Sequence, residues 1–254
     1  MFDAKRFPSY IKLDSKTFPR LTEVTISFWL RIWPKLEPTE HTILHYRTGS
    51  YDGLCLFELT DRHHGFVLDD ADTVLLVSLT SNLRLNVKVW NRIYDVSVPL
   101  ASDQWHHVTI AHHLSRRDEI KIMLNSSLVL VLISSNRQHS DRRDQFIAID
   151  SGGELFVGQA ARPRNTTGTS MTGDLEFDMQ RAFHGEITFL NIWQKMMADN
   201  EMHQLAMDCH VQRQECGDAV TWMDFVNDIK GETQIHWPSG IYTLFGRLSV
   251  ERRN

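Results

Sequence analysis

Short runs of alternating apolar and polar residues, separated by turn residues, follow one another along most of the chain. Alternation with a period of two is typical of β-strands that bury one face. The pattern predicts strands at residues 10–13, 24–33, 42–46, 54–59, 73–79, 83–90, 93–98, 105–113, 119–124, 128–133, 154–157 and 185–193. Strands this numerous and this closely spaced favour a two-sheet sandwich or a barrel.

One late segment departs from this alternation. In the segment Ala198 to Met207, Met202 and Leu205 lie three residues apart, polar residues fill the positions between them, and strong strand formers are absent. A spacing of three or four residues places side chains on one face of an α-helix. The sequence therefore predicts an all-β fold with one short helix near its end.

Residues 1–229 are predicted to form one domain, because no fixed-period repeat and no linker rich in proline, glycine or serine divides them. A chain of 254 residues, 42% of them hydrophobic, can fill the core of one large β domain. Residues 230–254 are predicted to be a C-terminal extension or the start of a linker.

The charge pattern and the length of the apolar runs disfavour two classes of partner. The formal net charge is −5, and the chain has no long block of like charge, so we expect no nucleic-acid partner. The apolar run 128–133 is much shorter than the roughly 18 residues that suggest a membrane span. We therefore expect no membrane insertion within this segment.

The cysteines and two sequons favour an extracellular location. Cys209 and Cys216 flank a short polar loop, which predicts a local disulfide in an oxidising compartment. The alternative is three reduced thiols, with Cys55 a small buried hydrophobic residue. Asn125 and Asn165 each begin an Asn-X-Ser/Thr sequon and are candidate glycosylation sites.

Six segments, in this order along the chain, resemble pentraxin and laminin G-like domains, which belong to the concanavalin A-like sandwich class. They are 26–30 (I-S-F-W-L), 103–110 (D-Q-W-H-H-V-T-I), 120–125 (I-K-I-M-L-N), 154–159 (E-L-F-V-G-Q), 183–193 (F-H-G-E-I-T-F-L-N-I-W) and 217–222 (G-D-A-V-T-W). The resemblance implies a two-sheet antiparallel jelly-roll sandwich. It also implies binding of a ligand outside the cell and, as in pentraxin rings, an ability to form homo-oligomers.

The chain departs from the pentraxin pattern at the disulfide that usually joins two strands of that family. The matching positions here are Ser27 and Thr109. Both cysteines are replaced, so the resemblance implies a core that holds without this covalent link.

A second departure concerns the calcium through which pentraxins bind ligands. Where the family places acidic ligands, this chain has the segment 159–164, Q-A-A-R-P-R, whose arginines repel cations. An acidic cluster further on allows a reduced calcium site, since alternation in an extended segment sets its polar side chains on one side. The candidate ligands are Asp52, Asp174, Glu176, Asp178 and Gln180. The alternative is a solvated acidic loop without calcium, and we expect no other cofactor.

Two catalytic hypotheses find little support. The segment from Glu176 to Gln180 resembles the catalytic strand of retaining endoglucanases of the same sandwich class, but Gln180 and Arg181 cannot replace the second carboxylic acid. The histidine doublet at His106 and His107 suggests zinc, yet neighbours on a strand point to opposite faces. We therefore expect that this protein is not an enzyme.

The sequence predicts an extracellular recognition or adhesion module, either secreted or part of the ectodomain of a larger receptor, with a glycan or protein ligand. A calcium-dependent pentraxin-like lectin with a reduced site is the first alternative. A glycan-cleaving enzyme of the same class and a domain that serves to oligomerise are the others. The step from fold to binding rests on analogy with the family.

Overall fold

The computed structural model describes residues 8–13, 18–34, 40–48, 73–90, 92–114, 119–133, 148–163, 175–207, 217–225 and 228–235. The strands are β1 (Tyr10–Leu13), β2 (Glu23–Ile32), β3 (His41–Arg47), β4 (Thr73–Leu79), β5 (Arg84–Val89), β6 (Arg92–Pro99), β7 (Trp105–His113), β8 (Glu119–Leu124), β9 (Ser127–Ile133), β10 (Glu154–Val157), β11 (Ala161–Pro163), β12 (Leu175–Phe177), β13 (Gly185–Trp193) and β14 (Ile229–Lys230). Helix α1 spans Asp199–Met207, and 3₁₀ turns span Met179–Arg181 and Trp222–Phe225.

Two antiparallel sheets form the jelly-roll sandwich. The seven-stranded sheet has the order β14-β1-β10-β3-β4-β5-β6, and the five-stranded sheet has the order β13-β2-β7-β8-β9. Every predicted strand within the described residues is present, with bounds that differ by at most one residue, and the predicted strand 54–59 lies outside them. The all-β fold with one late helix is therefore confirmed.

The main core lies between the sheets and is built by the predicted alternation. On β2, Ile26, Phe28 and Leu30 are fully buried in this core, and their neighbours on β2 face the opposite side of the sheet. Val108 and Ile110 continue the core on β7, which pairs with β2. Burying aliphatic side chains of this kind stabilises a fold by about 1.5–3 kcal/mol each relative to exposure.

Ser27 and Thr109, the positions matched to the pentraxin disulfide, are cross-strand partners on β2 and β7. A disulfide between these strands would need this register, so the residue correspondence with the family agrees with the fold. In place of the covalent link, the Ser27 Oγ lies 2.9 Å from His107 Nε2, on the outer side of the five-stranded sheet. The hydrogen bond gives the buried Ser27 hydroxyl and the His107 Nε2 a partner.

Helix α1 covers part of the outer face of the five-stranded sheet. Met202 and Leu205 of α1 join Ala111, Met123 and Trp193 in a second buried apolar cluster. The three-residue spacing that predicted the helix is the spacing that places both side chains on the sheet. This face is therefore a packing surface where α1 lies.

Gly185 begins β13 at a point where the backbones approach closely. A Cβ atom on Gly185 would lie 2.1 Å from the carbonyl oxygen of Arg31 on β2. Glycine is the residue that permits such an approach without steric conflict. Further along β13, Phe189 has φ +54° and the register with β2 shifts between Thr188 and Asn191, so the strand contains a bulge.

The C-terminal part of the described chain joins the sheet through β14, whose Ile229 pairs with Ile11 of β1. Beyond β14, the backbone N–H of Glu232 donates to Ser9 Oγ at 3.1 Å. The predicted boundary at residue 229 therefore falls inside β14, while residues 236–254 lie outside the described part. None of the helices in the described residues is long and apolar enough to cross a membrane.

Candidate functional site

The two halves of the outer face of the seven-stranded sheet differ in the elements that pack on them. Over β1 and β10 lies the two-stranded sheet of β11 and β12, which the sequence did not predict. Phe177 of β12 stacks on Tyr10 with ring centroids 4.4 Å apart and meets Phe156 edge-on at 6.1 Å. The N–H of Ala161 donates to His45 Nδ1 at 3.2 Å. These contacts hold β11 and β12 against this half of the face.

The candidate calcium segment changes conformation at Asp178. Strand β12 ends at Phe177, and Asp178 keeps an extended backbone and caps a 3₁₀ turn, with Asp178 Oδ1 accepting from the N–H of Gln180 at 3.1 Å. The alternation that would set the four polar side chains on one side of an extended segment therefore stops after Asp178, because the capping hydrogen bond turns the chain there.

Asp178 also belongs to an ion-pair cluster centred on an arginine. The Arg181 Nε lies 3.4 Å from Asp178 Oδ2 and 3.4 Å from Glu40 Oε2. Burial raises the pKa of Glu40 above its usual value, Arg181 opposes this shift, and Asp178 adds to it. The Arg181 guanidinium group therefore lies between the carboxylates of Asp178 and Glu40.

Of the other candidate ligands, two lie within the described residues. Glu176 and Gln180 are exposed, and Asp52 and Asp174 lie outside the described residues. In the described part of the chain, no three His, Cys, Asp or Glu side chains form a group that could hold a metal ion. The reduced calcium site stays a prediction, and so do the disulfide of Cys209 with Cys216 and the glycan at Asn165, which also lie outside the described residues.

The histidines of β7 are strand residues that alternate between the two faces, as expected. His107 lies on the outer side of the five-stranded sheet, and burial lowers its pKa to about 3. His112 lies on the core side, and burial, assisted by Arg92 and His113, lowers its pKa to about 4. Both are therefore neutral near pH 7.

Asn125 lies in a two-residue turn between β8 and β9. Its φ is +48° and that of Ser126 is +68°, as in the type I′ turn that suits β-hairpins. The Asn125 Oδ1 accepts from the N–H of His107 at 2.9 Å, and its Nδ2 lies 3.1 Å from His106 Nδ1. A glycan would be attached at this Nδ2, the nitrogen that contacts His106, and would leave it a single N–H.

Replacing Asn125 should weaken the fold through this turn. We expect Asn125→Ala to lower the free energy of unfolding by about 2 kcal/mol, because it removes two hydrogen bonds and places alanine at positive φ. Asn125→Gly keeps the favourable φ, so it should lose only about 1 kcal/mol. Urea unfolding of both variants would measure the difference, and equal losses would contradict a contribution from φ.

The second half of the outer face, over β5 and β6, carries polar side chains in register. Asn86 of β5 lies opposite Asp95 of β6, and its Nδ2 donates to Asp95 Oδ1. Lys88 lies opposite Ile93 on the same face, next along the two strands. We call these four residues the β5–β6 face. Asn86 and Lys88 are half-buried, whereas Ile93 and Asp95 are exposed.

Sequence reasoning missed the β5–β6 face. The signal was present in the polar positions of the two alternating strands, Arg84, Asn86 and Lys88 on β5 and Asp95 and Ser97 on β6. Which residue of β5 faces which residue of β6 depends on the register of the hairpin. The β5–β6 register contains an irregularity between Arg84 and Asn86, which alternation alone does not reveal.

Two antiparallel sheets with one helix on the outer side of the smaller sheet define the class of protein as a jelly-roll sandwich. The same fold is found in a heptameric SAP-like pentraxin from Limulus polyphemus, with a TM-score of 0.54 and 15% sequence identity, covering 85% of this chain and 82% of that one. At this identity the likeness shows the fold alone. No protein-family profile matches the chain.

Two further solved structures are similar over parts of their own length. A putative carbohydrate binding protein from Bacteroides ovatus has a TM-score of 0.46 and 15% identity, covering 80% of this chain and 46% of that one. The extracellular region of zebrafish Gpr126/Adgrg6 has a TM-score of 0.48 and 15% identity, covering 91% and 27%. This chain therefore spans less than half of either protein.

Proposed function

We propose that this chain is an extracellular recognition module that binds a glycan or a protein through the β5–β6 face, without the full pentraxin calcium site and without catalysis. The observation that carries the proposal is the paired Asn86 and Asp95, which stand in register on one face of the sheet beside Lys88 and the exposed Ile93. Helix α1 and the strands β11 and β12 pack on other parts of the sheet faces.

The chemistry of the β5–β6 face suits a ligand rich in hydroxyl groups. An amide offers both donors and acceptors, a carboxylate offers acceptors only, and an ammonium offers donors only. The Asn86 amide holds the Asp95 carboxylate in place. The remaining lone pairs of this carboxylate are therefore oriented before a ligand arrives. The exposed Ile93 supplies an apolar contact beside these polar groups, as binding sites commonly do.

Independence from calcium is supported by the contacts of Asp178. Its Oδ1 accepts from the Gln180 N–H, and its Oδ2 lies beside the Arg181 guanidinium. A calcium ion at this carboxylate would compete with the positively charged Arg181 guanidinium, and calcium takes six to eight oxygen ligands. The proposal therefore assigns the acidic segment a structural role, in which Arg181 balances Glu40 and Asp178.

The test is binding of the full chain to a printed panel of neutral, sialylated and sulfated glycans, with calcium and with EDTA. We expect the same glycans to be bound in both conditions. Asn86→Ala and Asp95→Ala should each weaken binding about tenfold, which corresponds to the loss of a charge-assisted hydrogen bond. Glu176→Ala is the matched control, because it removes an exposed acidic side chain outside this face.

Two results would contradict the proposal in different ways. Signals that disappear in EDTA and in Asp178→Ala would favour the calcium-dependent lectin over the β5–β6 face. Binding that persists in both Asn86→Ala and Asp95→Ala would move the site elsewhere on the sandwich. Release of reducing sugar from any bound glycan would contradict the absence of catalysis.

A further inference from the structure

Strand β9 is an apolar strand at the end of its sheet. Its seven residues, S-L-V-L-V-L-I, carry no charge and no proline, and Val131, Leu132 and Ile133 are between 44% and 58% exposed. In the described part of the chain, β9 pairs on one side with β8 and is the terminal strand of the five-stranded sheet. Natural edge strands are usually protected by charges, prolines or short length, because their free backbone groups can pair with another strand.

The bulge of β9 leaves most of this edge regular. Met123 of β8 faces Leu128, and Ile122 faces Leu130, so Val129 is the extra residue. From Leu130 to Ile133 the strand alternates without interruption. Val131 is on the outer side of the sheet, opposite Lys121, and Leu130 and Leu132 are on the core side.

We propose that this edge binds a second copy of the chain, with the two β9 strands antiparallel around a twofold axis near Val131. In this register Val131 faces its own copy and Leu130 faces Leu132, so apolar side chains of similar size meet on each face of the sheet. A twofold contact must be self-complementary, and a strand without charge meets this requirement because no like charges are brought together.

Charge near the strand also favours a second copy. Lys121, the cross-strand neighbour of Val131, lies 2.8 Å from Asp199 and 3.6 Å from Glu119. Its charge is therefore balanced within its own chain, and two copies can approach without uncompensated repulsion at this position. A charged partner strand would instead lose hydration against β9 and gain no ion pair there.

The size of the contact indicates a weak dimer. In this register residues 129–133 of the two β9 strands overlap over roughly 17 Å, and a contact of that length between the edges of two sandwiches would bury somewhat less than about 1,000 Å² in total. This lies at the lower limit for specific interfaces, so we expect dissociation in the micromolar range. The two five-stranded sheets would join into one continuous sheet.

Sedimentation velocity of the full chain from about 1 to 200 µM tests the proposal over the expected range of affinity. We expect a concentration-dependent dimer for the wild type. Val131→Lys and Val131→Glu should each weaken it at least tenfold, about 1.4 kcal/mol or more, because like charges then meet at the axis. An equimolar mixture of the two variants should restore the dimer, since opposite charges meet.

Ile235→Lys is the control, because Ile235 is 60% exposed and follows β14, the terminal strand at the far end of the other sheet. It should dimerise as the wild type does, and circular dichroism would establish that every variant is folded. A wild type that stays monomeric over the whole range would overturn the proposal. A mixture that stays monomeric would overturn it as well, and would assign the edge to a different partner.

Discussion

Lowering the pH from about 7 to about 5 should destabilise the fold by about 4 kcal/mol through His107 and His112. In the folded chain, burial lowers the pKa of His107 to about 3 and, with help from Arg92 and His113, that of His112 to about 4, against 6.5 for an ordinary histidine. The unfolded chain therefore takes up protons at pH values where the folded chain does not. Stability is full above about pH 6.5 and falls as the pH drops towards the folded pKa values.

Urea unfolding at several pH values between 5 and 7 would measure this slope, which should be about 1.4 kcal/mol per pH unit for each histidine well below pH 6.5. His107→Gln and His112→Gln should each remove about half of the slope, whatever their effect on absolute stability. His203→Gln removes an exposed histidine of α1 and should leave the slope unchanged. Equal slopes in all four proteins would show that other groups cause the acid sensitivity.

Gly185→Ala should lower the free energy of unfolding by about 3 kcal/mol or more. The added Cβ would lie 2.1 Å from the Arg31 carbonyl oxygen and 2.9 Å from Phe183 Cζ. Since the first of these atoms belongs to the backbone of β2, the conflict can be relieved only by separating β13 from β2, which would weaken their ladder. Thermal unfolding or urea unfolding would measure the loss.

Gly152→Ala provides the matched control for Gly185→Ala. Gly152 has φ +85° and no atom within 4 Å of an added Cβ, so alanine there meets backbone strain and no steric conflict. We expect a loss of about 1 kcal/mol for this control. A Gly185→Ala variant no less stable than the Gly152→Ala variant would show that β13 and β2 can separate at little cost.

Much of the sandwich could be predicted because alternation is a local property. The strand Trp105–His113 and the strand Gly185–Trp193 were predicted with the bounds that the structure has. The family resemblance also matched Ser27 with Thr109, and the structure pairs them across β2 and β7. The strand predictions have one cause: burial of one or both faces of a strand leaves a pattern within a few consecutive residues.

The candidate site was harder to predict because it depends on partners far apart in the chain. An acidic segment extended throughout would set its polar side chains on one side, but Asp178 caps a 3₁₀ turn and lies beside Arg181. Arg181 in turn lies near Glu40, which is distant in sequence and carried no signal of this contact. Side-chain partners across long sequence separations follow from strand register and packing, which alternation does not specify.

At Asn125, the sequence pattern predicts one property and the fold shows another. By its sequence it is a sequon asparagine, and as such it was predicted to carry a glycan. In the fold it occupies a type I′ turn and holds the start of β7 through His106 and the His107 N–H. The tertiary contact gives its amide a structural partner that the sequon pattern could not reveal.

The sequence by itself determined that the chain forms an all-β sandwich with one late helix, since apolar periodicity and chain length decide which elements can bury a core. Only the tertiary structure decided which surfaces remain for binding. It placed α1 on the five-stranded sheet, β11 and β12 over β1 and β10, and Asn86 beside Asp95 across β5 and β6. The reason is physical: burial needs only a local pattern, whereas a binding surface is what packing between distant segments leaves uncovered.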